Sequence, residues 1–97
     1  MNLSKSKQRL LKYLGKAYTK KVIDLEPCVY RNFGDFDVEI SGGSYRRPFN
    51  IYVWMTNPHL EIVERHMSLK HDFESIKMLL DDITSRYGKL SSDNEKT

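Results

Sequence analysis

Two runs of alternating residues constrain this chain more than anything else in it. Phe36, Val38 and Ile40 alternate with Asp37, Glu39 and Ser41, while Phe49, Ile51, Val53 and Met55 alternate with Asn50, Tyr52, Trp54 and Thr56. A period of two marks a strand, because successive side chains leave a pleated backbone on opposite faces. Gly42-Gly43-Ser44 between the runs reads as a turn, so the pair predicts an antiparallel hairpin with a longish tip. Its aliphatic face needs a cover.

The C-terminal part supplies one. Phe73, Ile76, Leu79, Leu80, Ile83 and Tyr87 recur at helical spacing, with Asp72 or Ser68 able to cap the start and Gly88 placed as a C-cap glycine. A second helix is predicted at the beginning of the chain. There Leu3, Leu10, Leu11, Leu14, Ala17 and Tyr18 share one side, and Lys5, Arg9, Lys12, Lys16 and Lys20 share the opposite one. Asn2 or Ser4 can cap this helix, and Gly15 leaves its end between Gly15 and Lys21. Val22 to Leu25 begins a further strand before Pro27. After the Asn57-Pro58 turn, Leu60 to His66 fits either a strand or an extended connection. The expected fold class is α+β, with an N-terminal basic amphipathic helix, a three- to four-stranded antiparallel sheet and a C-terminal amphipathic helix. The polar stretch Ser91 to Thr97 has nothing to bury and is expected to be a disordered tail, leaving a single domain over residues 1–90.

Composition narrows the function. A chain of 97 residues with 39% apolar side chains supports one modest core. Roughly 60–65% of the unfolded surface can be buried at this size, which leaves little material for a deep polar pocket. The expectation is a non-enzymatic protein with no cofactor and no small-molecule substrate. Cys28 is the only cysteine, so neither an internal disulfide nor a thiolate cluster can form. The N-terminus lacks the apolar stretch of a signal peptide, and the longest apolar run, Ile51 to Met55, is too short to cross a membrane. A cytoplasmic protein with no membrane partner is expected.

No catalytic or metal-binding constellation stands out. His59, His66 and His71 lie near Glu61 and Glu64 but show no H-E-x-x-H spacing, so they read as surface histidines. Cys28 beside Pro27 reads as a small buried hydrophobe. Asp35, Asp37, Glu39, Asp81 and Asp82 read as solvated carboxylates on polar faces. Gly42-Gly43 lacks G-x-x-x-x-G-K and precedes a strand, which excludes a phosphate cradle.

Charge carries the functional signal. Residues 1–23 hold Lys5, Lys7, Arg9, Lys12, Lys16, Lys20 and Lys21 without one acid, whereas the rest of the chain is net acidic. Such segregation suits a positive face set against an anion. The stripe Lys5, Arg9, Lys12, Lys16 and Lys20, with Lys21 after it, is long enough on a helix to face several phosphates. Tyr45, Arg46 and Arg47 at the hairpin tip can extend that surface, Arg gripping phosphate bidentately and Tyr stacking on a base. Tyr52 and Trp54 share a sheet face with Asp37 and Glu39, which would repel phosphate. They therefore read as aromatics that pack under a helix or form a protein interface. The alternative to nucleic-acid binding is thus a protein–protein adaptor or a homodimer using that face.

The stretch Val29-Tyr30-Arg31-Asn32-Phe33-Gly34-Asp35-Phe36-Asp37-Val38-Glu39-Ile40-Ser41 is an aromatic-basic-polar-Phe-Gly step into an acidic strand, preceded by a lysine-rich segment. In this it resembles the central region of small phage-encoded type II-A anti-CRISPR proteins. The order of elements is similar over residues 5–90, with a short basic helix in place of a long basic arm and a longer connection from Asn57 to Ser68. The resemblance implies a phage-encoded inhibitor of an RNA-guided type II nuclease, contacting the nuclease, its guide RNA or both without catalytic residues. The charge pattern by itself leaves guide RNA or DNA open as the nucleic acid.

Overall fold

The computed structural model describes residues 2–44, 46–68 and 72–88. Tyr45, His71 and the polar stretch 91–97 lie outside the described residues.

Asp24 and Leu25 both take positive φ, 50° and 67°. A two-residue hairpin turn requires this to match the right-handed twist of its strands. The turn joins β1 (Thr19–Ile23) to β2 (Glu26–Asn32), in register from Thr19 opposite Tyr30 to Ile23 opposite Glu26. Pro27 is accommodated because it precedes the residues of β2, Val29 to Asn32, that pair with the next strand. β3 (Phe36–Gly42), β4 (Phe49–Met55) and β5 (Glu61–Met67) follow, each antiparallel to the one before.

The sheet therefore has five strands in chain order, one more than the upper end of the expected three to four. The miscount has a physical origin. β1 is an exposed edge with no apolar alternation, and Cys28 and Val29 are buried on opposite faces of β2, which hides the period of two. Glu61 to Met67 is a strand, which decides between the two readings of that segment.

Helix α1 runs Lys5–Leu14, capped by Ser4, whose hydroxyl accepts the Lys7 N–H. It ends at Gly15, at a φ of 85°, whose N–H bonds Leu11 O at 3.0 Å. The helical stripe is thus shorter than expected: Lys16 lies beyond the helix and Lys20 and Lys21 belong to β1. Helix α2 runs Phe73–Ile83, with Asp72 accepting the Ser75 N–H at 3.2 Å. The chain continues in a wider, π-type turn over Thr84–Gly88, so Gly88 closes that turn instead of the α-helix.

Register sorts the side chains into two faces. Val29, Ile40 and Ile51 form one rung and Val38 and Val53 the next, and both helices cover this side. Leu10 of α1 and Ile76, Leu80 and Ile83 of α2 meet it and Phe49 in a single buried core. The other side carries the rung Tyr30, Glu39, Tyr52 and Arg65, and beside it Asp37, Trp54 and Ile62. Among the described residues neither helix crosses it. Among the described residues no helix is long and apolar enough to cross a membrane.

Candidate functional site

Two surfaces of opposite charge flank the core. The first is built on α1. An amphipathic helix that buries Leu10 must turn its opposite side to water, and Lys5, Arg9 and Lys12 are exposed there, continued by Lys16. None of these four has a carboxylate partner among the described residues. Lys7, in contrast, is only 5% exposed. Its ammonium donates to Glu26 Oε2 at 2.7 Å and to Pro27 O at 2.6 Å, pinning α1 to β2. Glu26 also accepts the Gly42 N–H at 2.8 Å. Burial pushes the Glu26 carboxyl up, but the two hydrogen bonds outweigh it and hold the group below its ordinary range.

The other cations are dispersed. Lys20 and Lys21 are exposed on β1, and Lys21 turns to the outer sheet face, with Nζ 4.3 Å above the Tyr30 ring. Arg46 and Arg47 are exposed in the β3–β4 connection. Arg47 lines a groove of about 660 Å³ with Asn2, Ser4 and Lys7 at the start of α1.

The second surface is the uncovered sheet face. Tyr52 and Trp54 are half-buried on it, and among the described residues no helix packs over them, which removes cover by a helix from the two alternatives read from the sequence. Glu39 between them is not the solvated carboxylate its alternation suggested, for it is 8% exposed. Burial raises its pKa, the Trp54 indole hydrogen bond opposes the rise, and the nearby charges of Asp24 and Glu26 add to it. Cys28 lies on the same face, wholly buried, and burial first and the neighbouring Glu39 and Glu26 second push its thiol up to about 11. It stays a protonated thiol at neutral pH, unsuited to attack. Asp24, Asp37 and Glu39 line one hollow on this face.

A third polar cluster holds the fold together. Glu64 of β5 accepts from Arg86 at 3.0 Å and from the Tyr87 hydroxyl, and pairs with His66 at 2.9 Å. The Arg86 bonds, against a smaller effect of burial, lower its carboxyl to about 2. His59 pairs with Glu61 at the surface, and among the described residues no three His, Cys, Asp or Glu side chains converge as metal ligands would.

Asp24 is a site residue that sequence reasoning missed, whereas Glu39 was placed on the aromatic face but read as solvated. No known protein family matches the chain, and neither curated proteins nor solved structures show significant similarity to it.

Proposed function

We propose that this is a non-catalytic binding protein that engages the phosphate backbone of a nucleic acid, alone or within a ribonucleoprotein, through α1. The observation that carries the reading is the exposed, acid-free set Lys5, Arg9 and Lys12 on a helix whose other side is locked into the core, with Lys16 exposed just past its end. On the helix Lys5 to Lys12 span about 10 Å at 1.5 Å per residue, and Lys16 just past its end extends the set, enough to meet neighbouring phosphates.

Four phosphate contacts release about as many counterions, so affinity should fall on the order of 100-fold between 50 and 200 mM salt. Titrating labelled RNA and duplex DNA across that range tests this, alongside a variant with Lys5, Arg9, Lys12 and Lys16 changed to Glu. The wild type is expected to bind with that salt dependence and the variant not to bind. Salt-independent binding, or equal binding by the variant, would sink the reading. Its most specific form, supported by the resemblance around Tyr30 to Ser41, is a phage inhibitor of an RNA-guided type II nuclease. Guided DNA cleavage left unchanged by excess protein across several such nucleases would remove that form and leave the phosphate reading standing.

A further inference from the structure

The outer sheet face has a chemistry opposite to that of α1. Two adjoining hollows of about 350 and 320 Å³ lie on it, and Ile23, Asp24, Glu39 and Trp54 belong to both. A carboxylate offers about four acceptor sites. Glu39 lies beside the Trp54 indole, while Asp24 and Glu26 nearby add like charge. Such a group gains most from a cation. The rings beside it already seat the chain's own cations: Lys21 above Tyr30, and the Arg65 guanidinium 5.5 Å from the Tyr52 centroid. At the rim Leu60 and Ile62 are 70% and 43% exposed, more apolar surface than a solvated edge needs.

We propose that this face docks an arginine-bearing segment of a partner protein, with a guanidinium set against Glu39 among Tyr30, Tyr52 and Trp54. The choice of occupant follows from charge complementarity. Asp24, Asp37 and Glu39 outnumber Lys21 in one hollow, a net negative charge that repels a phosphate backbone and attracts a cation, and aromatic walls favour the planar guanidinium over the more strongly hydrated ammonium. The aliphatic rim then contacts the segment's own apolar side chains. The proposal does not rest on phosphate binding by α1.

Trp54 is the only tryptophan, so its indole N–H gives a single local resonance. A nona-arginine peptide titrated into the labelled protein should shift that resonance saturably. Asp37→Asn with Glu39→Gln should weaken binding at least tenfold, whereas reversing Lys5, Arg9 and Lys12 should not weaken it. Glu39→Gln is expected to keep or raise the thermal midpoint, since the amide keeps the shape of the side chain and removes a charge that burial disfavours. Should the double variant prove unfolded, Asp37→Asn and Glu39→Gln singly provide the comparison. An indole unmoved at millimolar peptide, or equal affinity in the variants, overturns the proposal. So does an indole that shifts with RNA alone. Self-association of the wild type, abolished by Glu39→Gln, would assign the face to the cationic α1 of a second copy and overturn the partner-segment assignment.

Discussion

Glu64 and Glu39 are both carboxylates on strands, yet their surroundings drive them in opposite directions. Glu64 sits on the helix side, where Arg86, Tyr87 and His66 satisfy it, and its pKa falls to about 2. In the unfolded chain it titrates near 4.5, so between 4.5 and 2 the unfolded state takes up the proton first. Its contribution to stability is complete above 4.5 and is lost as pH falls towards 2. Because Arg86 is nearly half exposed, that contribution is discounted for solvent to about 2 kcal/mol. Glu64→Gln should therefore lower the thermal midpoint at pH 7 and show little difference from wild type at pH 2, as read by circular dichroism melts. An equal deficit at both pH values would contradict the assignment. Glu39 has the reverse sign, because burial penalises its charge and the cost is present above its raised pKa. Alternation along the strand showed which residues leave the backbone on one side, but not which donors would come from Thr84–Gly88, some twenty residues away.

At the scale of elements, the hairpin β3–β4 depends on one backbone position. Gly43 is buried with φ of 75°, and a Cβ there would stand 2.1 Å from the Phe49 ring. Phe49 is a fully buried core residue, so the ring has nowhere to retreat. Gly43→Ala should destabilise the protein by roughly 2–4 kcal/mol, measured by urea denaturation. A loss below about 0.5 kcal/mol would show that the connection can relax. The two helices and this hairpin were legible from periodicity because each buries one side only, which imposes a period of 3.6 or 2 on its sequence. The β1–β2 hairpin was not. Its turn uses Asp24-Leu25, without the glycine that usually marks positive φ, and its edge strand is wet on nearly its whole length. The edges also explain why the sheet stops at five strands: Lys20 and Lys21 guard one, and a bulge between Val53 and Trp54 leaves Val63 out of register on the other.

For the whole molecule, α1 is a clamp as well as a charged surface. Leu10 is its fully buried contact with the core, and Lys7 ties it to Glu26 and Pro27. Leu10→Ala should cost about 2–5 kcal/mol. Amide exchange should rise first along Lys5–Leu14 if the helix detaches before the sheet opens. Uniform loss of protection would show instead that α1 and the sheet unfold as one unit. The α+β class, the basic helix and the central hairpin with its closing helix followed from local pattern, since each is written within a dozen residues of chain. The segregation of cations into residues 1–23 was likewise plain from the sequence. Coverage was not, because whether a strand face is roofed depends on where remote elements land. Both helices settle on the side of Val29, Ile40 and Ile51, and that placement alone makes Tyr52 and Trp54 an open face with Glu39 buried in its floor. The same placement leaves Lys5, Arg9 and Lys12 to water and takes Lys7 out of it, a distinction that arises only where α1 meets Glu26.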